Sequence, residues 1–278
     1  MPTLLAIVAH PDDEGSCGGT LAKYAAAGAR VVVACATRGD GPDAQIKNDA
    51  ATRATLGQVR SQEVACACQT LGISAPLFLG YQDGAVDQVP PAEAARQIAG
   101  LIREVRPQVV ITHDPSGGYG HPDHIALCQA VTAAFDLAGD PAAEAAGAPF
   151  APAKLYYFAI PRSFRDSIPA LRDRRADIRG QVLGFVGVPD EAITTAVEIS
   201  AFMRLKLDAL KCHRSQFEFD AETGEPKTFA ASLPEADRRR WFGHERFVRA
   251  RTTVAAPAGL ETDLLAGLEQ PPAGRAGA

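Results

Sequence analysis

Four features are missing from this 278-residue chain: a long apolar run, an excess of basic charge, a CxxC pair and a GxGxxG turn. No stretch reaches the ~18 uninterrupted apolar residues of a membrane-spanning helix, so no membrane partner is expected. Lys and Arg total 28 against 33 Asp and Glu, a formal charge of −5, which argues against nucleic-acid binding driven by phosphate neutralisation. The arginine clusters Arg172-Asp173-Arg174-Arg175 and Arg238-Arg239-Arg240 are interrupted or flanked by acids and predict solvated faces. The cysteines at 17, 35, 66, 68, 128 and 212 lack metal-site spacing and are expected to be reduced and buried. Cys66 and Cys68, two apart on a predicted helix, should point to different faces. Met1–Ala9 is too short for the core of a signal peptide and has no basic residues before it; the expectation is a buried strand in a cytoplasmic protein. No internal repeat is present.

The remaining composition, 46% apolar and 22% charged, is that of an ordinary globular protein. A chain of this length buries enough surface to fold without a disulfide or metal staple. The continuous apolar run Leu4-Leu5-Ala6-Ile7-Val8-Ala9 predicts a strand covered on both faces. Further strands are expected over 30–36, 76–79, 108–112 and 154–160. Helices are expected over 21–28, 59–71, 92–105, 122–137 and 199–213. This alternation predicts an α/β fold with a doubly wound, mostly parallel sheet, whose ligands bind at the carboxyl ends of the strands. Residues 1–160 form the expected main domain, 161–253 a smaller carboxyl-terminal portion packed on it, and 254–278, rich in Ala, Gly and Pro, a flexible tail. The polar loop 37–52 is long for a compact domain and is expected to shape a pocket.

Two polar clusters follow strand ends. The first is His10-Pro11-Asp12-Asp13-Glu14. Acids packed this closely repel one another unless a cation balances them. A turn would let His10 and Asp13 converge on one ion while Asp12 points elsewhere. The bland alternative is a solvated turn leading into a helix whose dipole favours acids. The second cluster is Gly117-Gly118-Tyr119-Gly120-His121-Pro122-Asp123-His124, after the strand 108–112 and His113. Pro122 suits a first helical turn, which would present His124 and His121 at the same rim. Together these clusters point to His10, Asp13 and His124 as ligands with one position left open, the pattern of a catalytic zinc site. Asp12 is left as a general base. His121 is left as an acid or as an electrostatic partner of an oxyanion, which the Tyr119 hydroxyl could also bind.

HPDDE near the amino terminus together with GGYGHPDH in mid-chain resembles the zinc-dependent N-acetylglucosaminyl deacetylases of the PIG-L/LmbE family. The resemblance extends over about residues 3–250 and takes in Arg60-x-x-Glu63, Gly80-Tyr81-x-Asp83, Ile193-Thr194-Thr195 and Lys211-Cys212-His213-Arg214-Ser215-Gln216. It implies a Rossmann-like fold and hydrolysis of an N-acyl group on an amino sugar. It also implies zinc on His10, Asp13 and His124, Asp12 as base, and Asp123 tuning His121. The GGYGHPDH wording is especially similar to the members of the mycothiol pathway, where the tyrosine assists the oxyanion. Arg60 resembles an arginine that reaches the sugar, although a helical pair with Glu63 would also account for it. Asp83 resembles an acid that binds sugar hydroxyls. His213 would line the site or pack structurally.

The expected function is therefore removal of an acetyl group from a small N-acetylglucosamine conjugate, such as a thiol precursor. The expected cofactor is Zn²⁺, with Fe²⁺ or Co²⁺ able to replace it. An amidase acting on a larger acyl group or a thiol conjugate is the alternative. A non-hydrolytic nucleotide-binding module fits poorly, because the acids of HPDDEGSCGG occupy the turn where a pyrophosphate would lie.

Overall fold

The computed structural model describes residues 1–255 and 257–268. Strands β1 (Thr3–Val8), β2 (Arg30–Cys35), β3 (Leu77–Phe78), β4 (Val109–Thr112) and β5 (Lys154–Ala159) lie parallel in the order β3-β2-β1-β4-β5. The fold is thus α/β with a mostly parallel sheet, as the alternation of elements predicts. A hairpin follows, β6 (Arg175–Ile178) with β7 (Gln181–Gly184), outside the main sheet. Strands β8 (Thr195–Glu198) and β9 (His244–Thr252) then complete seven strands: β9 runs antiparallel to β5, and β8 antiparallel to β9. The carboxyl-terminal portion therefore shares the main sheet.

The apolar run of β1 works as its pattern requires. Leu5 and Ile7 face one core, packed by helices α3 (Pro91–Val105) and α4 (Pro122–Gly139). Leu4, Ala6 and Val8 face the other, packed by α1 (Gly18–Ala26) and α2 (Leu56–Leu71). Successive side chains on a strand point to opposite faces, so a strand covered twice must be apolar throughout. The chain moves outward from β1 to β2 and β3, then crosses back to place β4 on the other side of β1. The carboxyl ends of β1 and β4 thereby flank the crevice where the strand order reverses.

Three local expectations differ from the structure. The first helix begins at Gly18, after a 3-10 turn over Asp13–Ser16. Its free amides are capped from far away: the Glu245 carboxylate accepts from Gly19 N at 3.0 Å and from Thr20 N at 2.6 Å. The helix expected over 199–213 is regular only over Met203–Leu210. Beyond it, Cys212 and His213 are held by distant partners. Cys66 and Cys212 form a disulfide, with Cα atoms 5.7 Å apart, so these two cysteines are not the reduced thiols expected. Cys17, Cys35, Cys68 and Cys128 are free and buried.

Part of the segment expected to be a flexible tail is packed. Leu264 is buried in the core beside α1, and Glu261 is buried against β5 and β8. Glu261 accepts from Lys154 Nζ at 2.6 Å, the Tyr156 hydroxyl at 2.6 Å and the Thr195 hydroxyl at 2.9 Å. Residues 269–278 of that expected tail lie outside the described residues. No described helix is long and apolar enough to cross a membrane.

Candidate active site

The two predicted clusters meet at the crevice between β1 and β4. His10 lies just past the end of β1. His124 sits in the first turn of α4, which Pro122 opens and where His121 is the capping residue. His10 Nδ1, Asp13 Oδ2 and His124 Nε2 face one another: 3.3 Å from His10 to Asp13, 3.4 Å from His124 to Asp13, and 3.2 Å between the imidazoles. An ion ~2.0–2.2 Å from each of three tetrahedral ligands sets the ligand atoms about 3.3–3.6 Å apart. The spacing fits such a divalent ion.

The outer nitrogen of each imidazole is held in place. His10 Nε2 lies 2.9 Å from Asp83 Oδ1 and 3.3 Å from Asp123 Oδ2. His124 Nδ1 lies 3.2 Å from the Gly117 carbonyl, leaving Nε2 as the lone pair that faces Asp13. Carboxylates and carbonyls behind a histidine fix its tautomer and ring orientation, as in known metal centres. Burial and the neighbouring His10 lower the His124 pKa, so its nitrogen is free of a proton. Burial opposes charge on His10, yet bonds to Asp123, Asp13 and Asp83 outweigh it and raise its pKa. Burial likewise opposes charge on Asp13, and the imidazoles of His124, His10 and His113 overcome it and hold its carboxyl low.

Three donor groupings among the described residues overlap this one, His10 with His121 and His124, Asp13 with His113 and His124, and His10 with Asp83 and Asp123, and the hydrogen bonds discriminate among them. His113 Nε2 accepts from Ala9 N at 3.0 Å, so its lone pair is occupied. His121 Nδ1 accepts from Asp123 N at 3.2 Å, which leaves its proton on Nε2. Burial and the adjacent His124 push the His121 pKa down to about 4. His121 is therefore a neutral donor, and the cationic role considered for it is not favoured. The charge of Asp123 acts on His121 in the opposite direction, raising its pKa, without a hydrogen bond between its carboxylate and that ring. That carboxylate accepts from Gly84 N at 2.8 Å and Val86 N at 3.1 Å and faces His10.

Asp12 has the one non-glycine backbone of this turn at positive φ, 104°. L residues rarely adopt this region, and such strain concentrates at functional sites. The turn sends the Asp12 side chain away from Asp13 and into the cavity. Its amide donates to Glu14 Oε2 at 2.9 Å, and its Oδ1 accepts from Arg60 Nη2 at 3.0 Å. Burial raises its pKa to about 6, against the opposing pull of Arg60. Tyr119 stands edge-on to His121 and His124, ring centres 5.7 and 5.6 Å away, and burial keeps its hydroxyl protonated.

These groups line a cavity of about 530 Å³. Gly41, Ala44 and Lys47 of the long polar loop form one wall, and Ala176, Ile178 and Phe185 from the hairpin region form another. The structure brings Asp83 and Arg60 to this cavity, but both side chains are engaged by protein. Asp83 binds His10 and accepts from Gly41 N at 2.7 Å. Arg60 binds Asp12 and the Gly39 carbonyl, and Glu63 turns instead to Ser215. His213 does not reach the cavity. It is fully buried, with Nε2 2.6 Å from Glu14 Oε1. The site residues that sequence reasoning left unassigned are His113 and Glu14. His113 was signalled by its place at the strand end; the partner of Glu14 was not visible locally.

A family profile described as "PIG-L: GlcNAc-PI de-N-acetylase" matches residues 5–135. A 1D-myo-inositol 2-acetamido-2-deoxy-alpha-D-glucopyranoside deacetylase of Acidothermus cellulolyticus is 38% identical over 99% of this chain and 98% of its own. The protein of the same name from Thermomonospora curvata is 39% identical over 77% of this chain and 80% of its own. Among solved structures, a conserved protein of Thermus thermophilus superimposes with a TM-score of 0.63 at 27% identity, over 93% of this chain and 99% of the other.

Proposed function

The chain belongs to the PIG-L family, and on that premise we propose that it hydrolyses the N-acetyl group of an N-acetylglucosamine conjugate, with an inositol glycoside as the first candidate substrate. The observation that carries this reading is the three-way spacing of His10, Asp13 and His124 at the head of a cavity, with the strained Asp12 beside them. Two imidazoles and one carboxylate suit zinc, with Fe²⁺ or Co²⁺ able to replace it. A metal held there would supply Lewis acidity toward the acyl carbonyl and the attacking water.

The chain's own groups account for the proton transfers. Asp12 takes a proton from the water as it attacks; its side chain lines the cavity and is 26% exposed, and its raised pKa suits a base working near neutrality. The Tyr119 hydroxyl and His121 Nε2–H donate to the oxyanion that develops on the acetyl carbonyl. Asp12 then returns its proton to the departing sugar amine as acetate leaves. Asp83 and Asp123 act behind His10 and hold its ring in position. The proposal is completed by a cytoplasmic location and a small amino-sugar partner, with neither nucleic acid nor membrane involved.

The test is release of acetate and free amine from N-acetylglucosaminyl-inositol by metal-loaded protein, compared with N-propanoyl and N-hexanoyl analogues. Acetate release at the highest kcat/KM supports the deacetylase. Preference for the longer acyl groups replaces it with the amidase reading.

A further inference from the structure

Glu14 and His213 form a buried arrangement that the reaction above does not use. Both are closed to the cavity, at 1% and 0% exposure. His213 Nε2 lies 2.6 Å from Glu14 Oε1, and the other oxygen of the same carboxylate accepts the Asp12 amide at 2.9 Å. His213 Nδ1 has no partner among the described residues, so the proton belongs on Nε2, facing Glu14. The amide held at the end of this chain of bonds is that of the residue at φ 104°. An L residue keeps such a backbone only where its surroundings impose it.

The segment carrying His213 is itself locked. Cys212 is bonded to Cys66 on α2, and Ser215 donates through its amide and hydroxyl to Glu63 on α2, at 2.6 and 2.7 Å. The same helix sends Arg60 to the Asp12 carboxylate. Asp12 is therefore gripped twice from one rigid unit, at the carboxylate by Arg60 and at the amide through Glu14 and His213.

We propose that Glu14 and His213 are positioning residues that hold the Asp12 peptide in its left-handed turn and so aim its carboxylate at the attacking water. This rests on the deacetylase reading. The requirement is geometric: misplacing a catalytic group by about 1 Å costs on the order of 10²-fold in rate. Neither residue touches substrate, so the loss belongs in kcat and not in KM.

The test compares His213→Phe, His213→Gln and Glu14→Gln with the parent, reading kcat, KM, bound metal per chain and the imidazole N–H proton by NMR. His213→Phe keeps the ring volume and removes the donor; His213→Gln restores a donor of similar reach. The expected result is a kcat about 10–100-fold lower in His213→Phe, with KM and metal content unchanged, and partial recovery of kcat in His213→Gln. The parent should show a downfield N–H resonance from His213 that Glu14→Gln removes. If His213→Phe does not fold, Glu14→Gln, a change of one atom type, carries the same kinetic expectation. The proposal is overturned if a folded, metal-loaded variant keeps the parental kcat, or if metal content falls in step with activity, which would place the effect on Asp13. A parent that releases no acetate refutes the deacetylase reading and the positioning role with it; parental activity retained in the variants refutes the positioning role alone.

Discussion

Arg60 Nη2 lies 3.0 Å from Asp12 Oδ1, while Nη1 of the same guanidinium donates to the Gly39 carbonyl at 2.8 Å. Gly39 sits at φ +67°, and a Cβ there would collide with the guanidinium. Replacing Arg60 by Leu should lower kcat by roughly 10–100-fold with metal content unchanged, because it removes the grip on the proposed base and not a proposed ligand. Gly39→Ala should act in the same direction by displacing the arginine. Steady-state kinetics beside a metal assay decide the point; loss of metal in Arg60→Leu would contradict it.

Asp12→Asn keeps the shape of the turn and removes the basic oxygen. Turnover should fall by ~10²–10⁴, the usual contribution of a general base, with metal retained. Full activity in this variant would show that another group takes the proton.

His124→Ala should lose both metal and activity, and a strong chelator should reproduce the loss in the parent. Gly117 gives a subtler version of the same test. A Cβ at Gly117 would lie 2.8 Å from Ile125 Cγ1 and 3.2 Å from His124 Cβ. Gly117→Ala should therefore tilt the His124 ring and weaken metal affinity by about 10–100-fold, measured by competition with a chromophoric chelator.

Lys154 is fully buried, and its charge is met by Glu261 at 2.6 Å. Glu261→Gln leaves that ammonium buried without a counter-charge and should cost about 3–5 kcal/mol, read as a lower midpoint in urea. Burial opposes charge on Glu261, yet bonds to Lys154, Tyr156 and Thr195 outweigh it and depress its pKa. Its contribution to stability is complete above the unfolded glutamate value of about 4.3. It is lost as pH falls through the lower folded value. The parent should therefore lose stability below about pH 4 more steeply than Glu261→Gln does.

Reducing the Cys66–Cys212 bond opens a loop with a sequence separation of 146 residues. Stability should fall by about 2–4 kcal/mol, measured by urea unfolding with and without a dithiol reductant. A Cys66→Ala/Cys212→Ala double variant should be insensitive to the reductant.

Much of the candidate site was legible in the sequence because its residues follow strand ends. The run Leu4–Ala9 identified a doubly covered strand, so His10 had to lie at its rim. The residues after β4 had to lie at the same rim once the sheet was parallel. Those inferences need only local periodicity and the handedness of strand–helix–strand units. Composition was a weaker guide. It made 254–278 a flexible tail, yet one acid and one leucine in that segment, Glu261 and Leu264, are buried.

The sequence by itself determined the α/β architecture, the rim on which the candidate site sits, and the chemical types of its candidate donors. Tertiary structure alone decided which partner each donor faces. The Asp123 carboxylate faces the His10 ring; Arg60 pairs with Asp12 and not with Glu63; His213 reaches back 199 positions to Glu14. The reason is physical. Periodicity along the chain reports which face a residue occupies, because it reflects local backbone geometry. A hydrogen bond or disulfide between distant segments depends on how helices and strands dock. That docking is set by the summed packing of two cores and leaves no local trace at the residues it joins.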